Sequence, residues 1–82
     1  MATTKTQIRE WLENGIKMGA THMVMCCDTY DHSDYPSYVM PYELAESRIR
    51  YIGARPMTRI MEVYNLSMDI ESQLNEHRAW HL

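Results

Sequence analysis

The sequence contains no phenylalanine and has only three glycines, three prolines and two cysteines in 82 residues. The glycines stand singly, so the chain has no glycine-rich loop of the kind that cradles phosphate groups. The two cysteines, Cys26 and Cys27, are adjacent and point to opposite faces if they lie in a strand, so they cannot bridge without strain. We therefore predict two buried free thiols in a protein of a reducing cytoplasm.

Long apolar runs are also missing. No segment approaches the ~18 apolar residues that a membrane-spanning helix requires, and the first residues do not resemble the apolar core of a secretory signal peptide. We therefore expect no membrane association. The length indicates one domain, residues 1–82, whose small core makes oligomerisation a common means of stabilisation. In place of phenylalanine the chain has eight methionines and six tyrosines, residue types that suit interfaces and ligand pockets.

Positive charge is absent from one segment and concentrated in the next. Between Met18 and Ser47 there is no lysine or arginine, but there are five carboxylates: Asp28, Asp31, Asp34, Glu43 and Glu46. Residues 48–59 then contain no acid and four arginines: Arg48, Arg50, Arg55 and Arg59. The net charge of −3 argues against general nucleic-acid binding. We predict an acidic lip and a basic patch that face a ligand, or each other across a subunit boundary.

Local patterns predict the first three elements. Thr4 followed by Gln7 has the form of a capping box that opens a helix over 5–18, and Gly19 is placed to end it. Two apolar segments, 21–28 and 36–40, predict a β-hairpin whose second strand lies at a sheet edge, because it begins with a proline. A second helix is predicted from Pro41 to Gly53.

The segment after Pro56 has two interpretations. Its apolar residues share helical faces, which predicts one long helix over 57–80 and an α+β fold of order α-β-β-α-α, with an antiparallel hairpin packed against helices. We expect such a helix to form a homo-oligomer, a dimer or a larger assembly. The alternative is a strand over 57–64 followed by a short helix, which gives the order α-β-β-α-β-α and a three-stranded sheet.

The stretch CCDTYDHSDYP, residues 26–36, carries the most unusual pattern of acids. Its aspartates recur at every third position, which matches neither the calcium loop of EF-hands nor the D-x-D pattern of aspartyl-phosphate chemistry. The interpretations are a solvated hairpin loop with Asx-turns, a ligand-binding lip or a metal site. We predict a ligand-binding lip without metal, cofactor or catalytic residues. The predicted ligand-binding residues are Asp28, Thr29, Tyr30, Asp31, Tyr35, Tyr38, Arg48, Arg55 and Arg59.

The segments GATHMVMCCDTYDHSDYPSYV and MEVYNLSMDIESQLNEHRAWH resemble a family of short proteins from phages, prophages and bacterial mobile elements with a CDT[aromatic]D…DYPxYV core. The resemblance implies a genetic context and a bacterial host cell, but no activity. We expect a small, homo-oligomeric, non-enzymatic protein that sequesters an anionic, nucleotide-like ligand, as counter-defence sponges do. One alternative is an acidic inhibitor of a host nuclease or defence protein. Another is a small metal-dependent enzyme that acts through Asp28, Asp31 and Asp34.

Overall fold

The computed structural model describes residues 3–82 and forms a small α+β fold with three helices and three strands. The elements are α1 (Lys5–Lys17), β1 (His22–Asp28), β2 (Asp34–Val39), α2 (Ala45–Gly53), β3 (Thr58–Asn65) and α3 (Ile70–Leu74). The strands form one antiparallel sheet of order β2-β1-β3. The order of the elements, α-β-β-α-β-α, matches the predicted alternative with a three-stranded sheet. The prediction of one long helix over 57–80 is wrong. Within residues 3–82 no helix is both long enough and apolar enough to cross a bilayer.

Helix α1 has the two ends that its sequence predicts. The Thr4 side chain accepts a hydrogen bond from the backbone N–H of Gln7 at 3.2 Å. At the other end, Gly19 has φ of +81°, and the N–H groups of Gly19 and Ala20 donate to the carbonyls of Ile16 and Gly15. This pair of bonds is a Schellman motif, which the left-handed conformation of glycine makes possible. The predicted helix is confirmed to within one residue.

The central strand β1 is buried on both faces because the helices cover both sides of the sheet. On one face α1 and α3 pack over a core of Ile8, Leu12, Met23, Met25, Tyr64, Leu74 and Ala79. On the other face α2 packs over Val24, Cys26, Val39, Ile49, Ile52 and Val63. The hairpin of β1 and β2 is confirmed, and β2 lies at the sheet edge, where Pro36 sits opposite Met25.

Helix α2 begins later than predicted, at Ala45 instead of Pro41. Residues 40–43 form a turn in which the N–H of Glu43 donates to the carbonyl of Met40 and its carboxylate accepts from the Met40 N–H at 2.9 Å. Leu44 is the N-cap, with 78% of its surface exposed. The turn is stabilised locally by Glu43, so the helix starts only where Ala45 can pack on the sheet.

Strand β3 contains a bulge, which explains why a helix over 57–80 was incorrectly predicted. Its residue Met61 has no partner in β1, so the alternation of side chains shifts by one position at that point. Ile60 and Val63 consequently pack on one face of the sheet, whereas Met61 and Tyr64 pack on the other. Apolar residues three positions apart are the pattern of a helix, and here a bulged strand produces the same pattern.

The segment after α3 returns to the outer edge of β3. The N–H of Val63 donates to the carbonyl of Ala79 at 2.9 Å, and the N–H of His81 donates to the carbonyl of Val63 at 3.0 Å. The carboxylate of Glu62 accepts from the Ala79 N–H at 3.0 Å and from the Tyr64 hydroxyl at 2.8 Å. Residues 79–81 therefore cover part of an edge that would otherwise be open.

Tyr64 makes the fold sensitive to alkaline pH. Burial raises the pKa of its hydroxyl, and the hydrogen bond to Glu62 raises it further. The unfolded chain releases this proton near pH 10, whereas the folded chain retains it, so the free energy of unfolding should fall as the pH rises above about 10. Urea unfolding between about pH 8 and 11 should show this fall, and Tyr64→Phe should flatten it. An unchanged slope in that variant would assign the effect to another tyrosine, such as Tyr38, whose pKa is also raised by burial.

Candidate functional site

The aspartates of the 28–34 loop each bind a different partner. Oδ1 of Asp28 accepts from the N–H of Tyr30 at 2.7 Å, and Oδ1 of Asp31 accepts from the N–H and hydroxyl of Ser33 at 3.0 and 2.7 Å. These bonds to Ser33 lower the pKa of Asp31. Oδ2 of Asp34 accepts from the Thr3 hydroxyl at 2.6 Å. The loop is thus built on Asx-turns, and within residues 3–82 no three His, Cys, Asp or Glu side chains are grouped to hold a metal ion.

This loop contacts the segment that follows α2. The N–H of Thr29 donates to the carbonyl of Met57 at 3.0 Å, and the hydroxyls of Tyr35 and Thr58 lie 3.1 Å apart. His32 and Met57 both have left-handed backbones, with φ of 61° and 56°. These conformations cost energy for residues with a Cβ. The two segments therefore hold a defined arrangement next to the C-terminal end of α2.

Two arginines of the predicted patch contact a single tyrosine on α2. The guanidinium carbons of Arg48 and Arg55 lie 5.4 and 5.8 Å from the centroid of the Tyr51 ring, within the range of cation–π interactions. Arg48 also forms an ion pair with Glu43, with Nε and Oε2 3.2 Å apart but not aligned for a hydrogen bond. We call Arg48, Tyr51 and Arg55 the arginine corner.

The arginine corner borders an open groove of about 300 Å³, lined by Tyr51, Ala54, Arg55 and Pro56. The Tyr51 side chain is 56% exposed. The carbonyls of residues 50–52 accept from the backbone N–H groups of Ala54 and Arg55, which close the C-terminal end of α2. Within residues 3–82 no carboxylate forms an ion pair with Arg55. The groove therefore combines an exposed aromatic ring with a positive charge that is available to a ligand.

The sheet separates the predicted ligand-binding residues into two groups. Asp28, Thr29 and Tyr35 lie on or beside the face that α2 covers, with the arginine corner. Tyr38 lies on the opposite face, where its hydroxyl donates to the carbonyl of Trp11 at 2.7 Å.

Two further predicted residues lie apart from the arginine corner. Arg59 is opposite Cys27 in the register, on the same side of the sheet as Tyr38. Tyr30 projects from the loop, 79% exposed. A single pocket that uses all of the predicted residues is not formed.

Tyr51 was not among the predicted residues, although the sequence carries a signal for it. The spacing Arg48-x-x-Tyr51 places this arginine one turn from the tyrosine on a single face of α2, whereas Arg55 follows the end of the helix. In the predicted site the arginines formed one patch and the tyrosines belonged to the aspartate loop. The helical spacing is therefore a signal for the contact of Arg48 with Tyr51, but not for the contact of Arg55.

Cys26 lies on the face of the sheet that α2 covers and Cys27 on the other face, and both are poorly suited to nucleophilic chemistry. Both are free thiols, and Cys26 is buried while Cys27 is half-buried. Burial raises the pKa of each thiol, so both are protonated at neutral pH. The positive charge of Arg55 lowers the pKa of Cys26, but the effect of burial is larger and the pKa is raised overall.

A comparison of the chain with protein-family models, with curated proteins and with solved structures found no match.

Proposed function

We propose that the protein binds a small anionic, nucleotide-like ligand at the arginine corner and does not transform it chemically. The observation that carries this proposal is the exposed Tyr51 ring with guanidiniums 5.4 and 5.8 Å from its centroid. An aromatic face and an arginine fork are the groups that stack on a planar base and bind a phosphate in two-point contact. The proposed ligand class follows from that pair.

The arginines beside the groove favour an anionic ligand over a neutral one. Residues 48–59 contain four arginines and no acid, and two of these arginines, Arg48 and Arg55, lie at the Tyr51 ring. Arg48 is partly neutralised by Glu43, whereas Arg55 pairs with no carboxylate of residues 3–82. Arg55 is therefore the residue that we expect to contribute most to anion binding.

The neighbouring loop supplies the polar edge of the proposed site. Asp28 and Asp31 use one carboxylate oxygen for the loop itself, and a carboxylate retains lone pairs to accept from ribose hydroxyls or base N–H groups. The Thr29–Met57 hydrogen bond fixes this loop beside Pro56. The groove volume of about 300 Å³ lies at the lower end of the range for small-molecule sites, which favours a mononucleotide over a larger ligand.

Binding without turnover is supported by the chemistry of the surrounding groups. The nearest thiol, Cys26, is buried, and burial raises its pKa. The aspartates are bound individually, not as a close pair that divides the roles of acid and base. In the context that the sequence resemblance implies, such a protein would act in the bacterial cytoplasm by sequestering its ligand.

Titration of ¹⁵N-labelled protein with AMP and with pyrophosphate tests the proposal. We expect chemical-shift changes concentrated at residues 48–58 and 28–31, and a fall in affinity with salt. Arg55→Gln should weaken binding by about tenfold, the equivalent of about 1.4 kcal/mol for one charge-assisted contact. Arg59→Gln is the matched control, because it removes the same charge on the other face of the sheet.

Two results would contradict the proposal. One is the absence of saturable shift changes at millimolar concentrations of either probe. The other is equal weakening by Arg55→Gln and Arg59→Gln, which would indicate a diffuse effect of net charge and no defined site.

A further inference from the structure

A second groove, larger than the first, lies on the opposite side of α2. It has a volume of about 410 Å³ and is lined by Glu46, Ile49, Arg50, Gly53, Ile60, Trp80 and Leu82. Residues 46, 49, 50 and 53 share one face of the helix, roughly 180° from the face of the arginine corner at 100° per residue. We call it the α2 groove. It is independent of the proposed ligand site.

The α2 groove has an apolar floor and two large exposed apolar side chains. Ile49 and Ile60 form the floor, and Trp80 and Leu82 border it with 53% and 54% of their surfaces exposed. Gly53 keeps the space open, because a Cβ there would lie 3.1 Å from Cδ1 of Ile60. Tryptophan and arginine are the residue types that dominate binding energy at protein interfaces.

The charges on the rim of this groove are complementary to each other. Glu46 and Arg50 are both exposed and lie one helical turn apart. Within residues 3–82 neither forms an ion pair. When two such helices pack antiparallel about a twofold axis, the acid of each lies opposite the base of the other. In such a symmetric, isologous contact the same surface of both copies is used, and each rim charge pairs with the opposite charge of the other copy.

We infer that the α2 groove is the contact surface for a second copy of this chain, with α2 antiparallel to its counterpart and Glu46 facing Arg50 of the partner. The Trp80 and Leu82 side chains of each copy are covered in this contact. A standard interface buries ~800 Å² per partner, about 15% of the 5330 Å² of accessible surface. A chain of 82 residues with a small core gains stability from that burial.

The sheet edges are poorer surfaces for self-association. The outer edge of β3 is partly covered by residues 79–81. The edge strand β2 contains Pro36, which has no N–H, so it cannot offer a complete ladder of hydrogen bonds. A helix-to-helix contact therefore suits this fold better than a sheet that continues across two copies.

Charge exchange between two variants provides the test. Glu46→Arg carries two positive rim charges and Arg50→Glu carries two negative ones, so each should remain monomeric by itself. An equimolar mixture should restore the dimer, because both ion pairs re-form across the interface. Sedimentation velocity of the full chain should give twice 9.7 kDa for the unmodified protein and for the mixture, and 9.7 kDa for each variant alone. Circular dichroism checks that both variants fold, as expected for exposed positions.

The remaining outcomes overturn the inference. A monomer at millimolar concentration would show that the α2 groove does not bind a second copy of the chain. A dimer that persists in both single variants would place the contact elsewhere, for example at the β2 edge. A mixture that stays monomeric would exclude the antiparallel pairing. None of these results bears on anion binding by Arg55, which is measured separately with AMP and pyrophosphate.

Discussion

Replacement of Gln73 by leucine is expected to lower the free energy of unfolding by about 3 kcal/mol. The Gln73 side chain is 1% exposed, and its amide binds both backbone groups of Asn65. Its oxygen accepts from the Asn65 N–H at 2.7 Å, and its nitrogen donates to the Asn65 carbonyl at 2.8 Å. Leucine preserves the size of the side chain but leaves both backbone groups without partners, and each costs roughly 1–3 kcal/mol when buried.

The matched control is Gln7→Leu, the same substitution at an exposed position of α1 whose side chain makes no hydrogen bond within residues 3–82. It should change stability by less than about 0.5 kcal/mol. Thermal unfolding should place Gln73→Leu about 15 °C below the unmodified chain, from the dependence of Tm on stability in domains of this size. Equal midpoints for the two variants would show that water replaces the amide of Gln73 at little cost.

Gln73 also connects the core to the α2 groove. The Asn65 side chain, held at the end of β3, donates from Nδ2 to the carbonyl of Leu82 at 3.3 Å. Two successive contacts, Gln73 to Asn65 and Asn65 to Leu82, thus run from α3 to the wall of the groove. The buried amide of Gln73 is thereby linked through Asn65 to the C-terminal segment, whose main contact is the pairing of residues 79–81 with Val63.

The parts of the fold that the sequence predicts are those with local causes. Thr4 and Gly19 define the ends of α1 through bonds to residues within five positions. Pro36 indicates an edge strand because it lacks an N–H. Each signal acts over a few residues, so the surrounding fold does not alter its meaning.

The parts of the fold that were not predicted depend on contacts between residues that are distant in sequence. The bulge at Met61 shifts the side-chain alternation of β3, and only pairing with β1 shows that the segment is a strand. Trp80 reaches the α2 groove because residues 79–81 pair with Val63. No local pattern around either residue reports these partners.

In the candidate site, too, contacts with a local cause can be predicted from the sequence, and those that depend on strand pairing cannot. Arg48 and Tyr51 come together because they lie three positions apart on α2, whereas Arg55 approaches the same ring from beyond the end of the helix. Arg59 and Tyr38 are close to the other residues in sequence, but strand register places them across the sheet. A patch defined by sequence proximity cannot distinguish the two faces of a strand, where adjacent residues point in opposite directions.

Substitution of Gly15 is expected to have the second large effect on stability, because this residue lies where α1 contacts the sheet. It is buried in the helix, and a Cβ at this position would lie 2.8 Å from Cδ1 of Leu66 and 2.8 Å from Cε1 of Tyr38. The Tyr38 ring cannot easily withdraw, because its hydroxyl is bonded to the Trp11 carbonyl on the same helix. We expect Gly15→Val to lower the free energy of unfolding by about 3 kcal/mol, and Gly15→Ala by about 1 kcal/mol.

The alanine variant separates packing from helix propensity. Propensity alone favours alanine over glycine within a helix by about 1 kcal/mol, so a loss of stability requires overpacking to outweigh that gain. The exposed neighbour Asn14 supplies the control: Asn14→Ala and Asn14→Val make matched substitutions without a sheet contact, and urea unfolding should show changes below about 0.5 kcal/mol. A Gly15→Ala variant more stable than the unmodified chain would mean that α1 moves outward at little cost. The close approach of α1 to Tyr38 would then be incidental to the fold.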